Sequence, residues 1–81
     1  MRPESLNPLT LEEHRELGAE LRGMRSRLHE LSALVMEVYG PQNRAAFDFV
    51  KIAESMDRLC QDIEAQAGHD WPGHPTRGLY T

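Results

Sequence analysis

His14, His29, His69 and His74 stand among thirteen carboxylates, and these are the groups that would bind a metal if this chain held one. Helical bundles build di-iron sites from inward Glu-x-x-His pairs, because a three-residue spacing brings carboxylate and imidazole to one helix face. The residues three before His14, His29 and His69 are Leu11, Ser26 and Gln66, and the residue three before His74 is Trp71. No such pair exists. His14 and His29 lie on different faces of one helix, without the four-residue spacing that lets two imidazoles share an ion. No metal and no cofactor is expected.

Nucleophilic chemistry finds equally little support. Ser5, Ser26, Ser32 and Ser55 have no evident base with an orienting acid, and neither a nucleophile elbow nor a glycine-rich phosphate loop occurs. Cys60, the single cysteine, adjoins Leu59 and lies on the apolar face with Ile63, where packing accounts for it. Arg22, Arg25 and Arg27, with His29, concentrate potential cations in a short segment and raise the question of phosphate binding. Their spacing spreads the guanidinium groups around a helix, and Asp57, Asp62 and Glu64 are expected to face them. Nucleic-acid binding is therefore not expected, and the net charge of −4 opposes it further. Glu12, Glu13, Glu16 and Glu20 suit the positive end of a helix dipole. Glu54, Arg58 and Asp62 repeat every four residues as a solvated charge ladder.

The elements that would position these groups are helices. Thr10-Leu11-Glu12-Glu13 has the form of a capping box, in which a threonine hydroxyl and a glutamate carboxylate satisfy each other's backbone amides. From there Leu17, Leu21, Met24, Leu28, Leu31, Val35 and Val38 recur at alternating spacings of four and three, a heptad seam ending at Tyr39 and Gly40-Pro41. The spacing predicts a helix over about 10–39. Gly18 and Gly23 inside it each cost about 0.8 to 1 kcal/mol of helix propensity, which close packing or bending would explain.

After a turn at 40–42, a second helix is predicted over about 43–67, with Asn43 or Gly40 as its N-cap and Gly68 as its stop. Its apolar set includes Phe49, Ile52, Ala53, Met56, Leu59, Cys60 and Ile63, which fills two adjacent heptad registers. Such a helix has two sides to bury. A short turn makes the helices antiparallel neighbours, with facing residue numbers summing to roughly 83. Val35 then meets Phe49, Leu28 meets Met56 and Leu21 meets Ile63. A lone hairpin covers only one of the two registers, so the expected fold is all-α: an antiparallel two-helix hairpin that dimerises into a four-helix bundle. Leu21, Met24, Leu28, Leu31 and Val35 on the first helix supply the core and dimer interface together with the second helix's apolar set. In size and helicity this resembles the chorismate-mutase-like helical dimers. The likeness is architectural, and no inward set of cations suited to a dicarboxylate can be picked out, so no activity follows.

Residues 68–81 form an irregular tail, broken by Pro72 and Pro75 yet carrying the single tryptophan, Trp71, and Tyr80. That apolar content predicts docking, with Trp71 packed near Leu11 and His14. His14 is expected at the wet end of the bundle, beside His69, Asp70 or Trp71. His14, Trp71 and Tyr80 are thus the residues expected to contact a partner.

Eighty-one residues suggest one domain, and the composition, 40% apolar and 27% charged, is that of an ordinary globular chain. Met1-Arg2-Pro3-Glu4 does not open a signal peptide, no apolar run spans a membrane, and one cysteine builds no internal disulfide. A cytoplasmic, membrane-free location is expected. With no converging catalytic groups, the expected role is a non-enzymatic interaction or structural module acting as a homodimer, with an unidentified protein as possible partner. Two alternatives are an acidic regulator of a basic or nucleic-acid-binding protein, and a small-molecule or metal-binding bundle using His14 with the tail.

Overall fold

A computed structural model describes residues 7–81. The Met1–Glu4 segment and Ser5, on which sequence readings were made, lie outside the described residues. Two helices contact each other in antiparallel fashion: α1 (Leu11–Tyr39) and α2 (Arg44–Asp70). The capping box opens α1, with the Glu13 amide donating to Thr10 Oγ1 at 3.0 Å and the Thr10 amide to Glu13 Oε1 at 2.9 Å. Such a cap stabilises by about 1 kcal/mol. Gly40 ends α1 at φ +88°, a conformation costly for any residue with a Cβ. Asn43, rather than Gly40, caps α2, its Oδ1 accepting from the amides of Ala45 at 2.8 Å and Ala46 at 3.3 Å.

The far end of α2 corrects the sequence reading. Gly68 does not stop the helix, which runs on to Asp70 and ends at Trp71. Gly68 keeps an ordinary negative φ, and the Gln66 side chain donates to Asp70 across the final turn at 2.9 Å. The terminator is Pro72, whose ring disfavours helical geometry in the residue before it. The irregular tail therefore begins at Trp71.

Between the helices lies an unusually small-sided seam. The buried residues of α2 are Ala46, Ala53, Cys60 and Ala67, each one heptad after the last. Against them α1 buries His14, Gly18, Leu21 and Ser32. Small side chains at the contact let two helix axes approach closely. The register expected from the turn holds where the structure tests it: Arg25 reaches Asp57, Leu28 and Met56 line one groove, and Leu21 and Ile63 belong to one cluster. At the open end of the hairpin the tail folds back and caps that cluster with Tyr80, which is fully buried. Among the described residues no helix is long and apolar enough to cross a membrane.

Candidate functional site

Three surfaces of the hairpin carry the residues singled out above, and each offers different chemistry.

The first is the cradle that holds the tail. Tyr80 enters between the helices, and its hydroxyl lies 2.6 Å from His14 Nδ1, with the two rings edge to face. His14 is itself 1% exposed, and its Nε2 has no hydrogen-bond partner among the described residues. The expected wet, half-exposed histidine is thus a sealed one, because Tyr80 and not Trp71 fills the open end of the hairpin. Trp71 is half-buried and donates its indole N–H to the Leu9 carbonyl at 2.7 Å. Of the residues expected to meet a partner, His14 and Tyr80 are taken up by each other within one chain.

The tail backbone is held from both helices. Glu64 Oε1 accepts from the amides of Gly78 at 3.1 Å and Tyr80 at 3.0 Å, and from the Thr81 hydroxyl at 3.3 Å. The Tyr80 amide, above all, holds the Glu64 carboxyl below the ordinary glutamate range, against a smaller opposing effect of partial burial. Arg22 donates from the other side to the carbonyls of Leu79 and, at 3.5 Å, Gly78. Burial pushes the Tyr80 phenol above its ordinary value, and the neighbouring Cys60 adds to the shift.

Sequence reasoning missed Gly18, Arg22 and Glu64 as parts of one cradle. Arg22 and Glu64 were expected as members of a neutralised surface, whereas both spend their hydrogen bonds on the tail backbone. Gly18 carried a usable signal: it lies four residues after His14 and three before Leu21, on the buried stripe. A Cβ there would run into the Leu79 carbonyl, its carbon only 3.0 Å away.

The second surface is a polar cleft of about 950 Å³ bounded by Arg25, His29, Asp57 and Thr81. Asp57 Oδ1 lies 3.5 Å from Arg25 Nε and 3.6 Å from His29 Nε2, so the cleft's guanidinium and imidazole face a carboxylate of their own. Arg27 turns away to Glu30 at 3.2 Å. The polar contacts of the three arginines are therefore divided among the tail, Asp57 and Glu30, while Arg22 and Arg25 both line the cleft. Among the described residues no group of three or more His, Cys, Asp or Glu side chains stands close enough together to hold a metal ion.

The third surface is apolar. The second heptad register of α2 finds no cover on α1: Ile52 is 54% exposed and Leu59 46%. Across from them Met24 on α1 is 56% exposed. Met24 and Ile52, with half-buried Leu28, Leu31 and Met56, line a shallow groove of about 700 Å³ along the hairpin. Ala19, Gly23, Glu20 and Arg27 form its outer wall. Of the remaining interface candidates, Leu21, Ala53 and Cys60 are buried in the intrachain seam, while Val35, Phe49 and Ile63 are half-buried. A further exposed set, Leu34, Val38, Tyr39 and Phe47, gathers toward the turn.

No protein-family model, no curated protein and no solved structure matches the chain.

Proposed function

We propose that this chain is a non-catalytic interaction module that works as a homodimer, two hairpins packing through their apolar grooves into a four-helix bundle. The observation that carries this reading is the uncovered register of α2, where Leu59 is exposed and Ile52 and Met56 share one apolar groove with Met24, Leu28 and Leu31 on α1. Within one chain only the small-sided register is buried, and a core of alanines, one cysteine, Leu21 and Tyr80 offers little apolar area to a chain this short. Packing one groove on another removes the exposed apolar strip from both chains at once.

Light scattering after size-exclusion chromatography at micromolar concentration tests this reading. The expected mass is twice the 9.2 kDa of the chain. Met24→Glu and Ile52→Glu place charges on side chains already exposed in the single chain, where substitutions usually change stability by no more than about 0.5 kcal/mol. Each variant should remain helical and elute at the mass of one chain. A wild-type protein that is well folded at the mass of one chain would overturn the proposal.

A further inference from the structure

We infer that the cradle holding residues 78–81 is a peptide-recognition site, occupied at rest by the chain's own tail and open to a segment of the same type from a partner protein. That segment is a glycine turn followed by an apolar residue, a tyrosine and a threonine. The inference concerns the tail's cradle and does not depend on the dimer proposed above.

What the two helices grip is mostly main chain. Glu64 Oε1 accepts from the amides of Gly78 and Tyr80, and from the other helix Arg22 donates to the carbonyls of Leu79 and Gly78. Gly18 leaves the space that the Leu79 carbonyl fills. Main-chain hydrogen bonds of this kind give a peptide affinity, and pockets for individual side chains give selection. One such pocket is present. Tyr80 is fully buried with Leu21, Cys60 and Ala67, and its hydroxyl lies 2.6 Å from His14 Nδ1, so a phenylalanine would deprive that buried nitrogen of this partner. A second selection falls on Gly78. The Leu79 amide donates to the Thr76 carbonyl at 3.3 Å across a turn in which Gly78 has φ +84°, the position that a type II turn reserves for glycine. The Thr81 hydroxyl adds a side-chain contact to Glu64.

The tail is a ligand on a tether. Trp71 ties the start of the connector to the Leu9 carbonyl, and Pro72, Gly73, His74 and Pro75 after it are exposed. A segment tethered through so short a connector acts at an effective concentration of order millimolar. The tail of a second copy, identical in sequence, offers no contact that the resident lacks and loses to it at micromolar concentration. The occupant that displaces the tail is therefore a segment of a different protein, with the same turn and tyrosine and with binding energy of its own outside the cradle.

The probe is the peptide of residues 76–81 with a dye on its N-terminus, and the receptor is the full chain with Tyr80→Ala, which keeps the cradle and removes its resident anchor. Fluorescence anisotropy should show saturable binding to this variant with a Kd of ~0.1 mM, and roughly tenfold weaker binding to the wild type, whose tethered tail competes. Peptides carrying Tyr80→Phe or Gly78→Ala should each bind about tenfold more weakly than the parent peptide. If the receptor variant is unfolded alone, the parent peptide should restore its helicity in circular dichroism, because a ligand of the folded state stabilises it. Wild-type protein added at micromolar concentration should not displace the peptide from the variant. Absence of both binding and restored helicity, or equal binding of the tyrosine and phenylalanine peptides, would overturn the site. Equal binding to wild type and variant would overturn the tail as its resident, and displacement by micromolar wild type would mean that copies exchange tails and would overturn the assignment to a different protein.

Discussion

Gly18 and Gly23 sit in the same helix, a little more than one turn apart, and differ in what lies over them. Gly18 is buried, with the Leu79 backbone pressed against it so closely that a single added carbon would collide. Gly23 looks out over the groove, with nothing within 4 Å of where its Cβ would be. Toward the tail the chain has a third segment to spend, and Tyr80, Leu79 and the hydrogen bonds of Arg22 and Glu64 convert the end of the hairpin into a closed core. Along the groove no other described segment packs, and similarly apolar residues are left exposed. Whether an apolar stripe becomes core or stays exposed is decided here by whether a described segment packs over it. The closed end should therefore respond to mutation through stability, and the open groove through association.

The strongest challenge to this contrast is Tyr80→Ala. It empties the cap over the cluster of Leu21, Cys60 and Ala67, and leaves both ring nitrogens of His14 without partners among the described residues. Truncating a buried aromatic ring costs about 3 to 5 kcal/mol. A thermal melt should fall by roughly 4 to 8 °C for each kcal/mol in a chain of this size. An unchanged melt would mean that the tail contributes nothing to the fold. If the proposed dimer forms, the folded variant should keep a mass of two chains, because the groove is untouched.

Smaller in effect, and more direct as a comparison, is the paired substitution of the two glycines by alanine. Gly18→Ala should destabilise by about 1 to 3 kcal/mol, since the tail backbone must move and overpacking outweighs the gain in helix propensity. Gly23→Ala should stabilise the single chain by up to about 1 kcal/mol, because the propensity gain meets no obstacle. Denaturant melts at concentrations low enough to keep the chains apart distinguish the two. Equal effects of one sign at both positions would erase the contrast between the covered and open sides.

The smallest expected effect is a pH dependence. Glu64 has its carboxyl lowered from the ordinary value of 4.5 by the tail's amides and the Thr81 hydroxyl. A lowered value in the folded chain means that folding favours the carboxylate. The stabilisation is therefore complete above 4.5 and is lost as pH falls through the lowered folded value, below which both states are protonated. Trp71 emission, which reports on the neighbouring tail, should shift toward the water-exposed position over that acidic range. Glu64→Gln should remove most of this dependence while leaving the protein folded at neutral pH. If the variant titrates like the wild type, Glu64 is not what holds the tail.

Much of this architecture is legible residue by residue. The Thr10 capping box, the heptad seam of α1, the Gly40 terminus and the Asn43 cap all depend on interactions within about a turn of helix, so local sequence suffices to read them. The two apolar registers of α2 are equally visible, because periodicity is a property of the chain alone. Even the approximate register of the hairpin follows from the shortness of the turn, as the Arg25–Asp57 pair attests.

Tertiary structure decided which register would be buried within the chain, and it chose the small residues Ala46, Ala53, Cys60 and Ala67 rather than the larger Ile52 and Leu59. It also made Tyr80 the cap, assigned Arg22 and Glu64 to the tail, and sealed His14. These outcomes depend on contacts between residues as much as 66 positions apart, as between His14 and Tyr80. Periodicity can show that a face is apolar, but what covers it is settled by a competition among distant segments for the same surface, and that competition exists only once the helices have come together.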